Sequence, residues 1–193
     1  MNSVVVFCGS SEGVTAQYAE DAFELGKTLA QNQIKLVYGG AKIGIMGSLA
    51  KGTTEAQGEV IGVIPEFLMK KEVFHPNLTD LIITKDMHER KMKMHELSDG
   101  IIMLPGGYGT LEEFFEMLTW AQLGLHQYPI GILNTNGFYD ALLQMLRHMV
   151  QQGFVKQINY DMLLVDQDVN SLLTKMKNYE PIPVPKWITK DQT

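Results

Sequence analysis

Short apolar runs alternate with longer amphipathic stretches along almost the whole chain, and few folds accept that pattern. The runs at 3–8, 34–38, 59–64, 78–84, 100–104, 129–133 and 162–165 are almost continuously apolar, as strands covered on both faces must be. The stretches at 14–31, 45–57, 86–97, 110–124, 138–151 and 169–176 carry helical spacing. Strand followed by helix, repeated, predicts an α/β fold: a Rossmann-like, doubly wound parallel sheet with helices on both faces. With 193 residues and 21.7 kDa, the expectation is one α/β domain over 1–179. A Pro-rich tail over 180–193 follows, holding three of the seven prolines.

Composition removes several classes of function. Sixteen Lys+Arg against twenty-two Asp+Glu give a net charge of −6, a poor balance for nucleic acid or an anionic membrane. An anionic ligand therefore needs a local device. The single cysteine, Cys8, excludes an intrachain disulfide framework and a cysteine-built zinc site. The five histidines, His75, His88, His95, His126 and His148, match no metal spacing, so no metal is expected. Ser10 and Ser11 do not form a nucleophile elbow. No apolar run reaches the length of a membrane span, and residues 1–8 read as a strand, not a leader; the expected location is cytoplasmic.

In doubly wound sheets, ligands sit at the carboxyl ends of strands near the topological switch point. Three glycine-rich turns fall at such ends: 8–11, 39–47 and 106–109. The third lies in Pro105-Gly106-Gly107-Tyr108-Gly109-Thr110-Leu111-Glu112-Glu113. It joins a strand to a helix, where glycines admit a ligand and the helix start offers amides and a positive dipole end. This is either a phosphate cradle or a tight turn with a helix cap. Thr110-x-x-Glu113 also fits a capping box, so Glu113 is open between cap and catalyst. Glu113, Glu116 and Trp120 share one helical face; Leu111, Phe114, Leu118 and Ala121 share another, expected to be core. The 39–47 loop lacks the Lys-Ser/Thr ending of a P-loop and the spacing of a dinucleotide loop. Asp86-Met87-His88-Glu89-Arg90-Lys91 opens another helix, with Asp86 and Glu89 spaced as a capping box. Arg90 falls on the stripe of Met87, Met94 and Leu97, and an arginine there needs a carboxylate. Asp86, four residues earlier, is one candidate.

The segment PGGYGTLEE, taken with MHERK at 87–91, resembles the LOG family, the cytokinin riboside 5′-monophosphate phosphoribohydrolases often mislabelled as lysine decarboxylases. The resemblance spans about residues 1–178 and includes VVVFCGSS, YGGAKIGIMG and TWAQLG. It implies hydrolysis of the N-glycosidic bond of adenosine-type nucleoside 5′-monophosphates, with no metal or organic cofactor, in a homodimer with sites near the interface. Carried over by position, Arg90 and Glu113 match the catalytic pair. Substrate contacts fall on Glu72, Lys91, Gly107, Tyr108, Gly109, Thr110, Leu111, Glu112 and Thr119. Ala41-Lys42 departs from the smaller residues usual in the first loop, where a lysine would add a phosphate contact or shift base preference. A decarboxylase would need a Schiff-base lysine with an acid at the pyridinium nitrogen, and no lysine is so placed. The alternative is a non-catalytic carrier of a nucleotide or of molybdenum cofactor on the same fold.

Overall fold

The computed structural model describes residues 1–69, 75 and 77–183. In chain order the strands are β1 (Ser3–Phe7), β2 (Lys35–Tyr38), β3 (Val60–Pro65), β4 (Asp80–Thr84), β5 (Ile101–Met103), β6 (Ile130–Leu133) and β7 (Leu163–Asp166). The helices are α1 (Gln17–Gln31), α2 (Gly44–Glu55), α3 (Glu66–Met69), α4 (Met87–Glu96), α5 (Tyr108–Gln122), α6 (Asp140–Gln151), α7 (Gln157–Tyr160) and α8 (Val169–Lys177). The sheet is fully parallel in the order β4-β3-β2-β1-β5-β6-β7. The chain winds outward from β1 to β4, then returns to β5 on the other side, which makes the β1–β5 seam the switch point. This is the doubly wound, Rossmann-like architecture the alternation predicts.

Both sheet faces are covered, and the strands show it by alternation. Val4, Val6, Leu36, Tyr38 and Ile102 pack toward α1, α2 and α8, through Leu25, Leu29, Leu49 and Leu172. Val5, Phe7, Val37, Val63 and Met103 pack toward α4, α5 and α6, through Met94, Phe114, Met117 and Leu143. Every strand from β1 to β6 except β4 is buried along almost its whole length, so continuous apolar runs were required. β4 and β7 are the edge strands; β4 is half exposed and β7 is half-buried throughout.

The short helices α3 and α7 and the 3₁₀ turn at Thr135–Gly137 are too brief to carry a period in sequence. α1 begins at Gln17 with Ala16 as its N-cap, three residues later than its apolar pattern suggests; Val14, the first residue of that pattern, is fully exposed and buries no apolar surface. Among the described residues, no helix is long and apolar enough to cross a membrane. From position 180 only the first four residues are described, and Ile182 packs on the α5-side core.

Candidate active site

The switch point is made by two glycine turns pressed together. Gly9 N–H donates to Pro105 O at 3.0 Å, and Leu104 N–H to Phe7 O at 3.0 Å. A Cβ on Gly106 would fall 2.1 Å from Thr110 Oγ1 and 2.9 Å from Gly9 N, so no other residue fits. The second loop closes on the first. Gly44, at φ +62, lies against Ser10, and the amides of Ile45 and Met46 donate to Ser11 O and Gly9 O. The start of α2 is thus filled by the chain's own carbonyls. Lys42 is exposed, in a groove with Glu12, Ser48, Lys51 and His75.

The start of α5 is left open. Its N-cap is Gly107, which has no side chain to accept from the first-turn amides. The amides of Tyr108, Gly109 and Thr110 belong to the group that a helix leaves without intrahelical acceptors. A Cβ at Gly107 or Gly109 would meet nothing within 4 Å. The expected helix start at 110 is therefore two residues late, and the Thr110–Glu113 capping box is not formed. Thr110 is a buried third residue of the helix, not its cap.

Glu113 turns the other way, to Arg90. Arg90 Nη1 donates to Glu113 Oε1 at 2.7 Å, with only 9% and 10% of the two side chains accessible. Arg90 Nε donates to Val63 O at 3.0 Å. A Cβ on Gly39 would lie 2.5 Å from Arg90 Nη2, so the bare end of β2 seats the guanidinium. The end of β2, a carbonyl of β3 and a carboxylate of α5 thus hold one arginine, and Asp86 is not its partner. The Asp86 carboxylate instead caps α4, accepting from Glu89 N–H at 2.8 Å, while Glu89 accepts from Lys85 N–H at 2.7 Å. The capping box at α4 forms, with its return bond shifted one residue outward.

Burial pushes the Glu113 carboxyl above its ordinary value; Arg90 opposes this, Glu112 adds to it and Lys91 counters it. Arg90 therefore does not hold Glu113 as an ordinary carboxylate: desolvation wins. Burial, with Glu113 nearby, pushes the Cys8 thiol well up, so Cys8 is an inert wall of the site. Lys91 Nζ lies 2.5 Å from Glu112 Oε1 and 3.0 Å from Glu116 Oε2. Burial lowers the Lys91 ammonium, but the two carboxylates outweigh it and raise it.

Of the residues expected at the site, Arg90, Lys91, Gly107, Tyr108, Gly109, Thr110, Leu111, Glu112 and Glu113 are gathered where α4 meets the start of α5. Tyr108 is fully exposed and Leu111 half-buried. Thr119 sits nearly three turns further along α5, exposed, its hydroxyl donating to Phe115 O at 2.7 Å. Glu72 lies outside the described residues. The buried stripe of α5 is Thr110, Glu113, Phe114, Met117 and Ala121. Glu113 is thus on the core side, and Leu111 and Leu118 lie at its half-buried edge, which corrects the expected faces. Sequence reasoning missed Gly39 and the Val63 carbonyl. Gly39, the first residue of the 39–47 turn, had nothing to mark it as an arginine's seat, and a carbonyl carries no signal at all.

A buried acid–guanidinium pair beside an open helix start, at the switch point of a parallel sheet, makes this a Rossmann-like protein with a candidate anion site at the carboxyl ends of its strands. Residues 46–176 match the family model described as "Possible lysine decarboxylase". The chain is 44% identical over 179 residues to a probable cytokinin riboside 5′-monophosphate phosphoribohydrolase of Oryza sativa subsp. japonica, covering 93% of this chain and 79% of that one. It is 42% identical over 177 residues to the cytokinin riboside 5′-monophosphate phosphoribohydrolase of Rhodococcoides fascians, covering 91% and 89%. Among solved structures it is similar to the molybdenum cofactor binding protein from Rippkaea orientalis, with a TM-score of 0.69 and 21% identity over 92% of this chain and 96% of that one. The chain belongs to the LOG family of phosphoribohydrolases, enzymes that cleave the N-glycosidic bond. Among the described residues, the lysine beside the pair, Lys91, is held by two carboxylates, a poor setting for the neutral amine that a Schiff base needs.

Proposed function

We propose that this enzyme hydrolyses adenosine-type nucleoside 5′-monophosphates, AMP and its N6-substituted relatives, to the free base and ribose 5-phosphate. The observation that carries this reading is the Arg90–Glu113 pair, buried within reach of the open start of α5. The amides of Tyr108, Gly109 and Thr110 take the 5′-phosphate, using the dipole end of the helix. Phosphate binding then positions the sugar, which predicts a preference for monophosphates over free ribosides.

Loss of the base leaves positive charge at the anomeric carbon in an oxocarbenium-like state. Glu113 supplies the opposing negative charge from a site shielded from water, where that attraction is strongest. Arg90 fixes the carboxylate by one bond to Glu113 and one to Val63 O. Water adds to the anomeric carbon and the base departs with a proton. Arg90, Lys91, Glu112, Glu113 and Glu116 together carry one more negative than positive charge when ionised, the sign an oxocarbenium requires. The enzyme acts as a homodimer in the cytoplasm, with sedimentation expected at twice the 21.7 kDa chain mass.

The test is chromatographic. Purified protein is incubated with AMP, adenosine, dAMP, CMP and isopentenyladenosine monophosphate in the presence of EDTA, and free base is measured. Adenine from AMP but not from adenosine is the expected result. Glu113→Gln should lower base release by at least about 100-fold while AMP still binds. Full activity of that variant rejects the role given to Glu113. AMP binding without turnover by the wild type would favour a carrier; the likeness to the molybdenum cofactor binding protein, at 21% identity, speaks to the fold alone.

A further inference from the structure

We infer that Glu116 is a positioning residue for the reaction, acting through Lys91. The inference rests on the phosphoribohydrolase reading but concerns a residue that neither the motif nor the resemblance singles out.

α4 and α5 meet through two adjacent charge contacts. Arg90 reaches Glu113, and its neighbour Lys91 reaches Glu112 and Glu116. Glu112 and Glu116 are one turn apart, so their carboxylates bracket the ammonium on the same stripe of α5. The bracket is half dry. The Lys91 side chain is 11% accessible and that of Glu116 23%, whereas Glu112 is 55% accessible. Oε2 of Glu116 is shut off from solvent and lacks a well-aligned hydrogen bond, so the ammonium 3.0 Å away is the charge that balances it.

This arrangement has a consequence one residue along each helix. Lys91 is close enough to lower the Glu113 carboxyl, and Glu112 close enough to raise it. Around Glu113 stand Arg90 and Lys91 from α4, Glu112 from its own helix and the neutral Cys8 at the end of β1. With Glu116 in place, the ammonium is drawn back along α5, away from Glu113. Without it, Lys91 keeps only the exposed Glu112, and its charge competes with Arg90 for Glu113. The carboxylate then shifts from the orientation set by Arg90 and Val63 O, and an ångström of misplacement is costly at a reacting centre.

The experiment compares Glu116→Gln, Lys91→Met and the double variant with the wild type. Glu116→Gln should lose about tenfold in kcat for AMP with KM changed less than twofold. In the Lys91→Met background, Glu116→Gln should have almost no further effect, since the ammonium it restrains is gone. A readout independent of turnover is the NMR signal of the Arg90 Nε–H. The chain has only two arginines, Arg90 and Arg147, so it is readily assigned. Glu116→Gln should shift it and Lys91→Met should restore it toward the wild-type position. Unchanged kcat, an equal loss in both backgrounds, a loss matched by a smaller folded fraction in circular dichroism, or an unmoved Arg90 signal would each overturn the inference. A wild type that releases no base would instead overturn the phosphoribohydrolase reading, and the Arg90 signal would still decide the positioning role.

Discussion

At position 113 a carboxylate gives up water for a single guanidinium. Such a pair is costly to bury, and removing either partner leaves an uncompensated charge. The chain lowers that cost by giving the arginine a second acceptor, Val63 O, and a bare backbone, Gly39, to lie against. Gly39 is therefore as much part of the site as Arg90. Gly39→Ala would place a methyl 2.5 Å from Arg90 Nη2 and 3.0 Å from Met46 Sδ. Its φ lies outside the left-handed region, so the strain is one of space and not of backbone. The expected outcome is a loss of about 100-fold in kcat with a stability loss of about 1–3 kcal/mol, read by base-release kinetics and urea denaturation. Wild-type kcat in Gly39→Ala would show that Arg90 does not need that seat. The buried carboxyl also predicts that base release declines on the acid side at a pH above the usual carboxylate range, since Glu113 is raised.

At the scale of the element, the start of α5 separates glycines that serve the fold from glycines that leave room. Gly106 is pinned between Thr110 and Gly9, but Gly107 and Gly109 face open space. Gly109→Ala should stabilise the helix by about 0.5 kcal/mol, since alanine loses less entropy there. The same methyl projects beside the first-turn amides and should raise KM for AMP about tenfold or more. A thermal melt and a substrate titration check both directions; a stabilised variant with unchanged KM would remove the phosphate from this helix end. The seven strands were legible as short, almost continuous apolar runs, and the six longer helices because each is long enough to show its period. The sequence misplaced the start of α5, because Thr110-x-x-Glu113 fits a cap and the competing contact, Arg90, lies twenty-three residues away. Local pattern cannot weigh a tertiary partner. The pairing of Arg90 with Glu113 was legible only through the combined motif; the 39–47 turn was legible as a glycine turn at a strand end, but not Gly39 as the seat of Arg90, and the Val63 carbonyl was not legible at all. Lys42 shows the reverse case: a charged residue in a glycine loop invites a phosphate role, yet the helix start beside it is filled by Gly9 O and Ser11 O.

At the scale of the molecule, the far ends of α4 and α5 are tied by a different buried group. His126 lies between α5 and β6, with its Nε2–H donating to Met117 O at 2.9 Å and Nδ1 accepting from Tyr128 N–H at 3.2 Å. Both ring nitrogens are engaged in the neutral form, with His95 of α4 and Tyr128 stacked around the ring. Desolvation, opposed by the Met117 carbonyl, brings the His126 pKa down to about 4 from 6.5. In the unfolded chain the imidazole takes up its proton below about 6.5, whereas in the fold it resists until about 4. The unfolded state thus binds more protons across that window, and stability must fall as the pH is lowered through it. The contribution reaches about 3 kcal/mol once the pH is below 4. Glu113 acts with the opposite sign. Its folded value is raised, so its share of stability is present below the ordinary carboxylate value and is lost as pH rises through the raised one. Glu113 lies in the first half of α5 and His126 just beyond its end, and their contributions to stability run in opposite directions with pH. His126→Gln keeps a donor for the Met117 carbonyl but does not titrate, so it isolates one of them. Urea denaturation midpoints between pH 7 and pH 4 should drop steeply for the wild type and much less for His126→Gln. Parallel profiles for the two proteins would place the acid sensitivity elsewhere in the molecule.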